Sequence, residues 1–421
     1  MATLYNPYIS TDGLVVCLDA ANNKSFFGEP TTNLISDPLS LSGFPSPVTW
    51  SGLEGTPTRT SSLPNSSMTS ISPFWIKYEK NSSTNGRMNI LGVSGLSTGI
   101  DYCISFYVYS NDTNLTNLWW GSDNASATVQ SNTSYTSSDI GTIKRVQTIF
   151  RSTAGSQTMV LRVHHTNPIG TTFYLTGLQV EQKSYPTRIV SGSRGTTVAS
   201  GGGWKNMVSS TGDAEILNGV REASVANGAL SFDGTNDYIT VNQGVTSSFS
   251  QFTSEIVFKS SVAGNSGTAY LIYDHISGNP FWLGKTQSNT WLWFWNFGTA
   301  RAKSAAISST SYSSDSWIHI SVRCHLSNTT RLTETNNYAE LIVNGVNNSN
   351  IHSNTDDLSL GFPGNSMYIA RRGASFGNGD LGATVSEYAS IDVALFRLYN
   401  RVLSRNEIAQ NFNSIRGRFG I

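Results

Sequence analysis

The chain has 421 residues and a net charge of zero, 27 Lys and Arg offsetting 27 Asp and Glu, with only 13% of residues charged. An average globular domain carries roughly 25% charged residues, so this surface is built from uncharged polar runs such as Ser82-Ser83-Thr84-Asn85, Ser131-Asn132-Thr133-Ser134 and Asn347-Asn348-Ser349-Asn350. The absence of a basic excess argues against nucleic acid, no apolar stretch approaches the ~18 residues of a membrane span, and Met1-Ala2-Thr3-Leu4-Tyr5 opens no secretory signal. The expectation is a soluble protein made in a cytoplasm.

Cys17, Cys103 and Cys324 are odd in number and far apart, each in an extended, partly apolar segment. That pattern predicts buried free thiols instead of a disulfide framework. The Asn-x-Ser/Thr sequons, Asn81, Asn111 and Asn124 among them, follow from an Asn/Ser/Thr-rich surface. Length allows about three domains, or two large β-sandwiches, and the pattern below favours two.

Residues 1–12 read as an arm, with Leu4, Tyr5, Pro7, Tyr8 and Ile9 available for docking and disorder expected without a partner. Gly13 to Ala20 is a strand apolar on both faces, ended by Asn22-Asn23 and broken by Phe27-Gly28-Glu29-Pro30. Residues 31–190 then give strands at 74–78, 102–109, 118–120, 146–150, 159–164 and 173–180 without helical interludes, as in an antiparallel sandwich. Residues 191–203, rich in Ser and Gly, have linker composition.

From Trp204 a second β section runs to the end, with strands at 229–233, 238–241, 252–258, 269–273, 281–283, 291–297, 317–322, 338–343 and 367–370. About ten strands are expected, and Asn344-Gly345 is the clearest hairpin turn. A strand from Ile391 to Tyr399 hands over at Asn400 to one short helix. Ser404 and Glu407 form its capping box, Leu403 and Ile408 its hydrophobic staple, and Ile408, Phe412 and Ile415 its apolar face, with Gly417 as the stop. The fold class expected is all-β: two antiparallel β-sandwiches, the second a jelly roll, and a short C-terminal helix.

Gly13-Leu14-Val15, Ala20-Ala21-Asn22, Trp204-Lys205-Asn206, Ser231-Phe232-Asp233-Gly234-Thr235-Asn236-Asp237-Tyr238, Val343-Asn344-Gly345, Ile369-Ala370-Arg371, Leu398 to Ser404, Asn411-Phe412-Asn413 and Arg416 to Ile421 together resemble the laminin-G-like, concanavalin A-type jelly rolls of bacteriophage virion proteins, especially those of cyanophages. In that family the Leu-Asp-Ala-Ala-Asn segment runs almost directly into Trp-x-Asn. Here Asn22 and Trp204 are far apart, which implies an insertion between a first strand at residues 13–28 and a jelly roll at 204–421. The inserted part is similar to carbohydrate-binding-module jelly rolls in Thr32-Asn33-Leu34-Ile35, Tyr102 to Tyr109, Gly177 to Glu181 and Tyr185 to Arg188. The resemblance transfers no catalytic residue.

Trp291-Leu292-Trp293-Phe294-Trp295-Asn296-Phe297 alternates Trp291, Trp293, Trp295 and Phe297 on one face with Leu292 and Phe294 on the other. It reads first as a central strand between two packed layers. The functional alternative lays one or two rings against a sugar, with Trp282, Asp274 and His275 adding contacts. Asp233 with Asp237, and Asp356-Asp357, offer hard oxygens to calcium, although Asp-Gly turns recur for backbone reasons alone. His164-His165, and Glu181 with Glu255 as an imagined glycosidase pair, are the remaining chemical groups; no nucleophile elbow, zinc-binding His motif or phosphate loop occurs.

The resulting expectation is a non-enzymatic virion structural protein displayed as a capsid decoration, fibre or tail-associated adhesin. It binds a host-surface glycan, contacts other virion proteins, assembles as a homo-oligomer, by family a trimer, and needs no cofactor other than a candidate calcium. A structural cement protein without ligand is the alternative, and a glycan-degrading enzyme a distant third.

Overall fold

The computed structural model describes residues 9–43, 45, 49–52, 55–81, 86–122, 127–163, 167–209, 213–218, 220–223, 228–241, 251–259, 270–275, 281–285, 291–295, 303–308, 315–325, 338–347, 349–351, 367–371 and 388–421. Between 260 and 314 it gives backbone alone, except for Leu283. Residues 1–8 of the expected arm, His164-His165, Asn124 and Asp356-Asp357 lie outside the described residues.

The strands fall into antiparallel sheets, and the chain divides into two compact units, Met1–Pro30 with Gly195–Ile421, and Thr31–Arg194. The first boundary falls where the apolar run at 14–19 gives way to Phe27-Gly28-Glu29-Pro30. The second falls inside the segment whose composition suggested a linker. That segment is built in: Ser193–Arg194 pairs with Thr31–Thr32, and Arg194 is buried. Its guanidinium donates to the Arg188 carbonyl at 3.2 Å, so backbone pairing overrides linker composition there.

The Thr31–Arg194 unit has one sheet of five strands and one of six among the described residues. Tyr102, Ile104, Phe106 and Val108 alternate along Asp101–Tyr109 and meet Val146, Phe173 and Leu175 in one core. Sequence pattern missed Thr49–Gly52, Gly55–Thr60, Gly86–Ser94 and Ala127–Asn132, since Ser, Thr, Asn and Gly mask the period of two in them.

In the other unit two eight-stranded sheets enclose a core that includes Val16, Leu18, Trp204, Ile216, Ile239, Ile256, Phe258, Leu283, Ile320, Ile369 and Phe396. Ile256 and Phe258 lie two apart on one strand, with Phe252 further along it in the same core. Among the described residues the two sheets hold more strands than the ten or so expected, because short polar strands such as Ala214–Leu217 and Lys303–Ser308 carry little apolar signal.

One sheet runs in the order Arg221–Ala223, Ala229–Asp233, Ser390–Tyr399, Gln251–Lys259, Trp317–His325, Tyr338–Val343 and Val346–Asn347. The first strand, Leu14–Asp19, joins it against Ser390–Tyr399, with Val16 opposite Leu398 and Leu18 opposite Phe396. Asn206 completes that strand: its side chain accepts from the Cys17 amide and donates to the Val15 carbonyl, both at 2.9 Å. Asn344 (φ 49°) and Gly345 (φ 73°) make the hairpin after Tyr338–Val343. A Cβ at Gly345 would also lie 2.8 Å from the Phe412 ring.

The helix α1 (Arg405–Phe419) covers the outer face of this sheet. Ser404 Oγ accepts from the Glu407 amide at 3.2 Å and the Glu407 carboxylate accepts from the Ser404 amide at 2.7 Å. Leu403 and Ile408 pack with Ile342 and Tyr399, as the staple predicts. The helix continues through Gly417 and ends at Gly420, whose φ is 70° and whose amide reaches the Arg416 carbonyl at 2.9 Å. The added length lets Phe419 join Ile415 on Ala394, Leu395 and Val257, which outweighs the ~1 kcal/mol cost of a glycine inside a helix. Residues 9–12 are tied down as well: Ser10 donates through its amide to Asn411 and through its hydroxyl to Glu407.

Candidate functional site

Two groups of polar side chains stand out, on opposite faces of the Met1–Pro30 and Gly195–Ile421 unit. The first lies beneath α1. Antiparallel register sets Cys17 opposite Arg397, Arg397 opposite Glu255, and Glu255 opposite Ser321. An acid and a base directly across a ladder attract one another, and here Glu255 Oε2 is 3.4 Å from Arg397 Nη1. Asn411 of α1 donates to the same carboxylate oxygen at 3.0 Å, while His319 Nε2 lies 3.4 Å from Oε1. Glu255, His319, Tyr399 and Asn411 are wholly buried.

Burial alone would raise the Glu255 pKa, but His319 and Arg397 beside it outweigh that and hold it below the usual carboxylate range. Burial pushes the Tyr399 hydroxyl and the Cys17 thiol up. Each charge is thus answered inside the protein, and α1 seals the group from substrate. Such closed ion pairs are structural in most settings. Glu181, the other half of the imagined glycosidase pair, belongs to the Thr31–Arg194 unit. There it accepts from Thr31 at 2.7 Å and from the Thr187 amide at 2.7 Å, again fully buried.

The second group lies on the other sheet, whose strands run Ala214–Leu217, Tyr238–Val241, Met367–Ile369, Tyr270–His275, Phe281–Lys285, Trp291–Trp295, Lys303–Ser308 and Ser349–Ile351. One cross-strand row reads Ile216, Ile239, Ile369, Tyr273, Leu283 and Trp293. Its isoleucines and Leu283 are buried in the core. The neighbouring row reads Glu215, Thr240, Tyr368, Asp274, Trp282 and Phe294, and its described members Glu215, Thr240 and Tyr368 are half-buried. No helix covers this face among the described residues.

Register gives each sugar-binding candidate its cross-strand partner. Trp282 and Asp274 stand opposite one another, with Asp274 opposite Tyr368 in turn. Trp293 stands opposite core Leu283, Trp291 opposite Lys285, Trp295 opposite Phe281, and His275 opposite buried Met367. Asp233 and Asp237 serve their own turn: Asp233 accepts from the Thr235 amide at 2.7 Å, and Asp237 from the Asp233 amide at 3.2 Å. Among the described residues no group of three or more His, Cys, Asp or Glu is placed to hold a metal ion.

Sequence reading missed an arginine on this face. Tyr238 and Tyr368 meet edge to face with ring centroids 5.8 Å apart, and Tyr238 and Tyr388 lie 6.2 Å apart. The Arg371 guanidinium carbon lies 4.4 Å from the Tyr238 centroid, 5.3 Å from Tyr368 and 5.9 Å from Tyr388. Ala370, buried and at φ 64°, reverses the strand's alternation so that Arg371 follows Tyr368 outward. A left-handed alanine costs about 1–2 kcal/mol. The segment Ile369-Ala370-Arg371 was noted in sequence, yet nothing local marks a left-handed alanine.

Residues 233–409 match a laminin G family model described as the concanavalin A-like lectin/glucanases superfamily. This stretch is similar to concanavalin A-like domains. Comparison with curated proteins gives no match. Among solved structures, the chain is similar to the binding domain of botulinum neurotoxin serotype D, at 17% identity and a TM-score of 0.35 over 49% of this chain and 48% of that one. It is similar also to domain 4 of AbnA, a GH43 extracellular arabinanase from Geobacillus stearothermophilus, in complex with arabinotriose, at 12% identity and a TM-score of 0.36 over 50% of this chain and 92% of that one. The chain spans about half the length of the neurotoxin binding domain it matches. Among the described residues no helix is long and apolar enough to cross a membrane.

Proposed function

We propose that the chain binds glycan without cleaving it, and that the sugar lies along the outward row of the open sheet. The observation that carries this reading is that row itself: half-buried Thr240 and Tyr368, with Tyr238 alongside, continuing in register to Asp274 and Trp282. The apolar face of a pyranose stacks on aromatic rings, and its hydroxyls donate to carboxylates and accept from hydroxyls. Four strands at about 4.8 Å spacing give the row a length of roughly 14 Å, room for a short oligosaccharide. The match to a lectin and glucanase superfamily supports the reading. Against catalysis stands the enclosure of Glu181 and Glu255 in separate buried networks, since glycosidases need two carboxyl groups flanking one bond.

The setting we propose is the outside of a bacteriophage particle, as capsid decoration, fibre or tail-associated adhesin. It rests on the motif resemblance and on a surface poor in charge. Antibody labelling of purified particles tests it, and unlabelled particles would remove it. For the glycan site, Trp282→Ala should lower affinity for an array-selected glycan at least tenfold with an unchanged melting midpoint. A collapse in melting would assign Trp282 to the core.

A further inference from the structure

We infer that Arg371 is the anchor for an oxyanion carried on a sugar ring, so that the glycan taken by the open sheet is acidic. The inference rests on the glycan reading above and names the class of sugar. Its basis is the state of this one cation. Arg371 is half-buried on the outward side of the sheet, its guanidinium carbon 4.4, 5.3 and 5.9 Å from three tyrosine centroids. Among the described residues no carboxylate pairs with it.

An arginine keeps its charge at any working pH. Aromatic rings hold a guanidinium by its faces and offer nothing to its N–H groups, which remain directed in the guanidinium plane. A planar carboxylate matches that edge with two parallel hydrogen bonds. A hexuronate or other acidic sugar brings both halves together, a carboxylate for the arginine and a ring face for Tyr238 or Tyr368. A sulfate ester presents the same oxyanion chemistry and is the other source. The left-handed Ala370 fits this role, because without that reversal the alternation would turn residue 371 towards the core.

The test uses the full chain and three oligosaccharides of equal length: an oligogalacturonate, its carboxyl-reduced neutral counterpart, and a sulfated counterpart, titrated by calorimetry at low and physiological salt. The wild-type protein should bind at least one acidic oligomer at least tenfold more tightly than the neutral one, and the advantage should shrink as salt rises. Arg371→Gln should abolish that preference while keeping residual neutral binding, and Arg371→Lys, which retains charge but not the paired donors, should fall between. A preference for sulfate over carboxylate supports the oxyanion anchor and fixes its source. Equal binding of acidic and neutral oligomers overturns the inference and leaves the glycan reading standing. Binding of none of them, nor of any arrayed glycan, overturns both. Should Arg371→Gln fail to fold, the Arg371→Lys preference and the wild-type salt dependence decide: an acidic preference unchanged in Arg371→Lys and insensitive to salt overturns it.

Discussion

The two faces of the unit formed by Met1–Pro30 and Gly195–Ile421 each hold an arginine among aromatic and polar groups, and they differ in what answers its charge. Arg397 is buried, opposite Glu255 in the ladder and roofed by Asn411 of α1. Arg371 is half-buried on the other sheet, held by tyrosine rings. A charge removed from water needs a partner inside the protein, so the first arginine is bound up with folding. The second, among the described residues, is held by tyrosine rings with no carboxylate paired to it. The difference teaches that perturbed, clustered ionisable groups mark a binding site only where the fold leaves them reachable.

The largest effect should follow from breaking the closed face. Glu255→Ala leaves Arg397 buried without its carboxylate and should cost about 3–5 kcal/mol in denaturant unfolding. A loss below about 1 kcal/mol would mean that Arg397 finds another partner. Acid should sharpen the same point. Glu255 is held below its ordinary range, and hydrogen bonding to Arg401 and Ser404 holds Glu407 down to about 2 despite its partial burial. Carboxylates depressed in the folded state stabilise it fully above their unfolded pKa, near 4.5, and lose that contribution as pH falls towards the folded value. Melting between pH 5 and about 2 should therefore decline, the Glu407 part by at most about 3 kcal/mol and by less after solvent screening. Arg401→Met should flatten that part of the decline.

Ser404→Ala, which removes the cap of α1, should cost about 1 kcal/mol. Smallest is the effect of chelator: with Asp233 and Asp237 engaged by turn amides, the melting midpoint should not move. A fall would place an ion there.

The closed face was the more legible of the two in the sequence. Ser404, Glu407, Leu403 and Ile408 announce their own geometry, since caps and staples are local. The helix end was misread at Gly417 because what extends it is Phe419 packing on a distant strand. Motif resemblance assigned the strand at residues 14–18 to the C-terminal jelly roll without naming its neighbour, and the structure pairs Leu14–Asp19 with Ser390–Tyr399. Composition marked a boundary at residues 191–203, and the two units meet there in sequence, but it gave no sign that Ser193–Arg194 pairs with Thr31–Thr32 far back along the chain. The open face was legible only in part. Alternation grouped Trp291, Trp293 and Trp295, but their register against Phe281–Lys285, with Trp293 opposite buried Leu283, is a pairing that alternation does not reveal. Arg371 and its tyrosines come from three separated segments, so no window of sequence contains them.

The most direct measurement of the central claim is glycan-array binding by the wild-type chain beside Trp282→Ala and Glu255→Ala, each with its melting curve. The open sheet as the binding face predicts that Trp282→Ala loses glycan at least tenfold while melting as wild type, and that Glu255→Ala melts early but binds normally below its transition. Unchanged glycan binding in Trp282→Ala, or a loss in Glu255→Ala at temperatures where it remains folded, would contradict it.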